Sequence, residues 1–260
     1  MILAIDTGNT HTVLGCMDDH GKACQILRIE TNRNKTDYEY AVEIKQILEL
    51  AGVDPRSFSG AIISSVVPSV TPLLHQAVRL ISGLDALVVG AGVKSGLHLA
   101  IGDPGSLAPD LVATAVAAKE NYQLPCIIID MGTATTITVV DRDGKYIGGA
   151  ILPGVGLSMN ALASGTSLLP NIDILPPSKL IATETVDAMK AGILYGSAGA
   201  IDGILERYLK ELGEGGSIVA TGGLSPLICP YCSHKIVIDD QLLLSGLYII
   251  WKKTTASRKK

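Results

Sequence analysis

The chain alternates between short apolar runs and longer stretches in which apolar residues recur every three or four positions. Ile2, Leu3 and Ile5 open a run that ends on Asp6, Gly8, Asn9 and the hydroxyls of Thr7, Thr10 and Thr12. GAIISSVV, DALVVG, SIVATGG and KIVID read as further short strands. Helical spacing marks TDYEYAVEIKQILELAG, PDLVATAVAAKENY and TVDAMKAGILYGSAGAIDGILERYLKELG, with Gly52 and Gly213 placed to end two of them in left-handed geometry. QLLLSGLYIIWKK has an apolar face wide enough for a packed helix and is expected to close the second half of the chain. Strands set between helices predict mixed α/β layers.

The opening pattern occurs twice. CIIIDMGTATTITVVDRDGKYIGGAILPG repeats the apolar strand, the Asp-x-Gly turn and the second apolar strand of MILAIDTGNTHTVLG. Asp6 matches Asp130 and Gly8 matches Gly132, with Thr10 and Thr12 opposite Ala134 and Thr136. In the second copy, Asp143-Gly144 is a two-residue hairpin signal. Two similar facing domains follow, expected at 1–120 and 121–250, with a basic tail at 251–260 and the boundary near Asn121 to Pro125.

Composition narrows the class. At 47% hydrophobic and 18% charged the chain is a well-packed globular protein, and at 4% aromatic its core is aliphatic. A net charge of -4 and a pI near 5.7 supply no global positive field, so no nucleic acid partner is expected, and KKTTASRKK reads as a solvated end. No apolar run reaches the roughly 18 residues of a membrane helix and no signal peptide opens the chain, so no membrane partner and a cytoplasmic location are expected. The five cysteines form no disulfide framework. Cys229-Pro-Tyr-Cys232 resembles a glutaredoxin-type pair but sits in a late loop, which disfavours redox or zinc roles. VVGAGVKSG has Val93 where a phosphate loop needs glycine before Lys94, and reads as a strand-to-loop connection.

A tight turn between strands can aim consecutive backbone N–H groups into one concavity and so receive phosphate oxygens, with glycine permitting close approach. Threonine and asparagine add neutral donors. A carboxylate cannot bind phosphate itself, so Asp6 is read as serving a cation, Mg2+, which takes oxygen ligands and bridges nucleotide phosphates. Gly222 and Gly223 of IVATGGL would let adenine or ribose lie against bare backbone. One such turn alone is as readily a plain polar hairpin; two copies and a downstream glycine pair favour a nucleotide clamp.

These residues resemble the acetate kinase, sugar kinase, heat-shock 70 and actin superfamily, and within it type III pantothenate kinase. The similarity runs through IDTGNTHTVLG, ISSVVP, IIIDMGTATT, GGAILPG, ASGTSLLP, VATGGL and LLLSGLYII. It implies two ribonuclease H-like (actin-like ATPase) domains, mixed sheets flanked by helices with an interdomain cleft, in a homodimer. The implied reaction uses ATP to phosphorylate the primary hydroxyl of pantothenate, the first committed step toward coenzyme A. By the same resemblance Asp6, Thr7, Gly8, Asn9, Thr10, His11, Thr12 and Val13 form the first ATP phosphate loop, and Thr133, beside Gly132, contacts ATP in the second. Asp130 matches a monovalent cation ligand, for potassium or ammonium. Thr185 matches a substrate contact near the dimer interface.

The match fails in GDPGSLAPDLVATA. Relatives carry Gly-Ala-Asp-Arg with a tyrosine seven residues before the glycine; here stand Ala108, Pro109, Asp110 and Leu111, with Ile101 at the tyrosine position. Phosphoryl transfer to an alcohol needs a carboxylate to orient the hydroxyl and take its proton, the role expected of Asp110. The competing role is that of a helix cap, since Asp110 lies at or near the start of the helix LVATAVAAKENY. Leucine cannot make the forked bonds of a guanidinium, each charge-assisted bond being worth about 1.5 to 3 kcal/mol. Three readings follow: a pantothenate kinase, a kinase of another small and less anionic alcohol, or a non-catalytic nucleotide-binding sensor. They separate on whether Lys94, His98 or another cation replaces the missing arginine.

Overall fold

The computed structural model describes residues 1–90, 93–213 and 215–258. Residues 91–92 within VVGAGVKSG and 259–260 of the basic tail lie outside the described residues. In chain order the strands are β1 (Ile2–Thr7), β2 (His11–Met17), β3 (Ala23–Glu30), β4 (Ala61–Ser65), β5 (Leu87–Val88), β6 (His98–Leu99), β7 (Cys126–Met131), β8 (Ala134–Val140), β9 (Lys145–Pro153), β10 (Ser217–Thr221) and β11 (Val237–Ile238). The helices are α1 (Asp37–Leu50), α2 (Thr71–Ser82), α3 (Pro109–Asn121), α4 (Val155–Ser164), α5 (Thr185–Leu212), α6 (Ser225–Ile228) and α7 (Leu242–Arg258). They fall into two units, one of Met1–Asn121 with the segment from Gln241 onward, the other Tyr122–Asp240.

In the first unit the strand order is β3-β2-β1-β4-β5, with β1 antiparallel to β2 and parallel to β4. β1 is buried on both sides, which is why it reads as an unbroken apolar run. Strand alternation sends Leu3 and Ile5 into a layer with Tyr40, Ile44 and Leu48 of α1 and Leu74 and Val78 of α2. Ile2 and Ala4 enter the opposite layer, with Ala113 and Val116 of α3 and Leu244, Leu247 and Ile250 of α7. Asp6 continues the second series, so it lies on the face that α3 and α7 cover. Thr7 continues the first.

The second unit repeats the plan. Its strands run β11-β10-β7-β8-β9, with β7 antiparallel to β8 and parallel to β10. Ile127, Ile129 and Met131 pack with Ile137 and Val139 against Ile193, Leu194, Ala198, Ile201 and Leu205 of α5. Asp130, between Ile129 and Met131, faces the other way.

Three sequence expectations change. The helix in QLLLSGLYIIWKK runs on through Arg258, so most of the supposed tail is helical, and it completes the first unit instead of the second. Its apolar residues need the β1/β4/α3 layer: burying Leu244, Leu247 and Ile250 there is worth about 1.5 to 3 kcal/mol each. Gly246 makes the crossing possible, since a Cβ there would come within 1.9 Å of the Ala113 carbonyl oxygen. The Asp143-Gly144 hairpin has a three-residue loop, Arg142 to Gly144, because the Asp141 N–H bonds the Lys145 carbonyl and the Asp141 carboxylate accepts from the N–H groups of Asp143 and Lys145. Helices α2 and α4 and the four-residue α6 are added. α2 opens on Thr71-Pro72 and ends at Gly83 (φ 75°), a start and stop legible in principle; α4 has no side-chain cap and no charge in its first turn.

Candidate active site

The first turn is closed by the Gly8 N–H donating to the His11 carbonyl at 2.9 Å, which spends the glycine donor inside the turn. The N–H groups of Asn9 and Thr10 make no hydrogen bond to the described residues, and they are the donors left for a ligand. Thr10 and His11 are exposed at the tip, while Val13 is half-buried and pairs with Asp6 across the hairpin. The Thr12 hydroxyl is buried and engaged with that of Thr31 at 2.9 Å, so it braces the turn from below.

The second turn is shorter by one residue: the Gly132 N–H donates to the Ala134 carbonyl at 3.0 Å. The ladders therefore align the copies differently from a simple residue count. Asp6 pairs with Val13 and Thr7 with Thr12, whereas Asp130 pairs with Thr136 and Met131 with Thr135. Thr12 corresponds to Thr135, both buried, and Val13 to Thr136. The exposed Thr133 accepts at its carbonyl from the Gly154 N–H, 3.1 Å away. Gly154 caps α4, and a Cβ there would meet the Thr133 carbonyl oxygen at 2.1 Å. The uncapped N-terminus of α4 is thereby set beside the turn, adding the positive end of a helix dipole.

Gly222 and Gly223 differ. Gly222 has φ 91° and lies on the Met131 backbone, where a Cβ would be 2.5 Å from the carbonyl oxygen; its absent side chain serves the packing of the second turn. Gly223 has open space at its Cβ and is the one of the pair free to meet a ligand.

Whether these residues suit a nucleotide and its cations can be judged from their hydroxyls. Ser64 is fully buried, stands beside Asp6 in the parallel ladder, and its hydroxyl has no partner among the described residues. Thr136 stands beside Asp130 in the antiparallel ladder of the second hairpin, also with an orphaned hydroxyl. Each Asp-x-Gly turn thus sets a carboxylate next to an unsatisfied oxygen, a donor set that fits a hard cation or its water shell. Sequence reasoning missed Ser64 because only the strand register brings it beside Asp6.

Ala108, Pro109, Asp110 and Leu111 are half-buried at the start of α3, and the Ala108 carbonyl accepts the first helical bond, from Val112. Asp110 is in the first turn and not at the cap. Its Oδ1 accepts from the Leu111 N–H at 2.7 Å, yet burial outweighs this and raises its pKa above the ordinary carboxylate range. Lys94, the sequence's candidate substitute for the missing arginine, is exposed. Its N–H bonds the Thr254 hydroxyl, and the nearby Gly96 carbonyl accepts from Lys119, nine residues beyond Asp110 and about 14 Å along α3. His98 is exposed in β6, and Thr185 is exposed at the first position of α5.

Cys229 and Cys232 are free thiols. Burial pushes them up to about 11 and about 12, which leaves both protonated and poorly nucleophilic at neutral pH.

Solved structures share this architecture. Component A of the (R)-2-hydroxyglutaryl-CoA dehydratase of Acidaminococcus fermentans matches with a TM-score of 0.58 at 14% identity, over 100% of this chain and 99% of that one. The ROK hexokinase of Thermus thermophilus matches at 0.51 and 12%, over 97% and 99%. The fold is that of the actin-like ATPases and ROK sugar kinases, α/β with two mixed sheets flanked by helices. Sequence comparison is more specific. The model of the type III pantothenate kinase family matches residues 2–207. Curated type III pantothenate kinases of Koribacter versatilis and Bacillus cytotoxicus are each 40% identical, the first over 100% of this chain and 98% of its own length, the second over 97% and 96%. The chain belongs to the type III pantothenate kinase family.

Proposed function

We propose that the protein transfers the γ-phosphoryl group of ATP to the primary hydroxyl of pantothenate, giving 4'-phosphopantothenate, the first step of coenzyme A biosynthesis. The observation that carries this reading is Asp110: a carboxylate at the family's catalytic position, half-buried, with its pKa raised toward the range useful to a general base. Asp110 orients the hydroxyl and accepts its proton as the oxygen attacks phosphorus. The unbonded N–H groups of Asn9 and Thr10, and those of the second turn and the α4 N-terminus, receive phosphate oxygens. Asp6 with Ser64 would hold Mg2+, and Asp130 with Thr136 potassium or ammonium. A bound divalent ion supplies charge neutralisation on the phosphates. Gly223 lies against the nucleoside, and Thr185 and residues 108–111 meet pantothenate.

The homodimer belongs to the same proposal. Ala188, Gly192, Gly196 and Gly199 line an exposed face of α5 at helical spacing, and at the three glycines a Cβ would meet nothing within 4 Å. Large apolar side chains are exposed in the same unit, among them Ile151, Leu168 and Ile181 at 75%, 91% and 85%. Such surface suits a second copy. Among the described residues no helix is long and apolar enough to cross a membrane.

The test is product formation: Mg·ATP and pantothenate with and without potassium, followed by mass spectrometry for 4'-phosphopantothenate. Leu111 favours one second reading, a less anionic acceptor. Phosphorylation of a neutral pantothenate analogue in preference to pantothenate would select it, and bound ATP with no transfer to either would leave a nucleotide sensor.

A further inference from the structure

Beside the first turn stands a cation that the phosphate-loop pattern does not include. Arg33 lies in the loop between β3 and α1 and donates through Nη2 to the Asn9 Oδ1 at 2.9 Å. That loop is held to the turn at several points. The Thr31 N–H bonds the Thr10 carbonyl at 2.9 Å, and the Thr31 hydroxyl meets that of Thr12 beneath it. Asn32 is pinned through both backbone groups to the hydroxyl of the buried Tyr40, at 2.9 and 2.8 Å. The Asn34 N–H closes onto the Asn32 side chain, and Thr36 with Glu39 forms a capping box that starts α1. Lys35 is committed to Glu43 at 2.7 Å. Arg33 has no such partner: no described carboxylate lies within ion-pair distance of it, in a chain of net negative charge.

A guanidinium has five N–H donors in a planar fork, and Asn9 takes one of them. The rest have no acceptor among the described residues, and Asn9, which holds the side chain, also carries one of the two unbonded N–H groups of the turn. We propose that Arg33 is a phosphate-binding residue of the nucleotide site, acting on the terminal phosphates of a nucleoside triphosphate. Asn9 is its positioning residue, which holds the fork over the turn while the pinned loop fixes its base. This rests on the reading of the first turn as a phosphate cradle. Arginine suits the task because it engages two phosphate oxygens at once, which an ammonium does not.

Isothermal titration calorimetry of the full chain with Mg·AMPPNP and with AMP tests this in Arg33→Gln, Arg33→Lys and Asn9→Ala. Arg33→Gln is expected to weaken AMPPNP binding by about tenfold to a hundredfold while leaving AMP binding unchanged. Arg33→Lys should fall between wild type and Arg33→Gln, and Asn9→Ala should show a smaller loss of the same kind. Because Arg33 is exposed, an unchanged melting temperature is expected and serves as the folding control. Equal AMPPNP affinity in wild type and Arg33→Gln would overturn the assignment and leave the nucleotide reading standing. Equal losses for AMP and AMPPNP would also overturn it, since the side chain would then not discriminate terminal phosphates. A wild-type protein that binds neither nucleotide would remove the cradle itself and the inference with it.

Discussion

Asp110 pulls catalysis and stability in opposite directions. Burial raises its folded-state pKa above the ordinary value of 3.8, so between the two values the folded state binds more protons than the unfolded state. Stability must then fall as pH rises through that window, and at neutral pH the buried negative charge is a standing cost. Asp110→Asn is expected to melt no lower than wild type at pH 7 and to lose the part of the pH dependence that begins near 3.8, as read by thermal denaturation from pH 3 to 8. Its turnover should drop by about 10²- to 10⁴-fold while AMPPNP affinity holds. A variant with both lower stability and unaltered turnover would mean that the carboxylate only supports the helix start. The neighbouring position gives a gain-of-function prediction. Leu111→Arg restores a forked cation, and kcat/KM for pantothenate should rise about tenfold to a hundredfold if a carboxylate is recognised there. At this scale the sequence showed Asp6, Asp130 and Asp110 because each sits in a local pattern. Ser64 and Arg33 were hidden, the first acquiring meaning from strand register and the second from a loop folded back on the turn; Thr136 was legible as part of the repeat, but only the register sets it beside Asp130.

Among the elements, the second turn depends on backbone packed against backbone. Gly222→Ala must fit a Cβ against Met131 at a positive φ and is expected to cost about 1 to 3 kcal/mol, measured by chemical denaturation. Gly223→Ala has open space, so its stability should match wild type; if the nucleoside lies there, its AMP affinity alone should weaken. Equal destabilisation by the two would contradict the packing described. Helices α1, α3 and α5 were legible from periodicity and end signals such as Gly52 and Gly213, both at positive φ (76° and 79°), although Gly213 with ψ -179° is not the left-handed cap expected of it. The one-residue difference between the two turns was not legible, because a turn's length is fixed by which N–H closes it. The three-residue hairpin at Arg142 to Gly144 escaped for a similar reason, the Asp141 carboxylate having captured the chain one step earlier.

For the whole molecule, the proposed dimer predicts that Gly196→Arg, placed where no neighbour obstructs it, leaves the fold intact and shifts sedimentation from dimer to monomer. Unchanged sedimentation would exclude that face of α5. The destination of α7 was the main feature beyond reach of the sequence. An apolar helix face advertises that it must be covered but not by what, and both sheets had a side to offer. Since Ile2, Ala4 and Ile62 share a layer with α7, a fragment of residues 1–121 should expose that layer and show no cooperative unfolding.

The placement of α7 also orders events during synthesis. β1 is made well before α7, and the helix that completes the layer over it is translated only after the intervening 119 residues of the other unit, Tyr122–Asp240. The nascent first sheet must therefore wait, with α3 alone over that side, until translation has passed Ile250. A chaperone holding that side during elongation would meet Ile2, Ala4 and Ile62 before α7 displaces it.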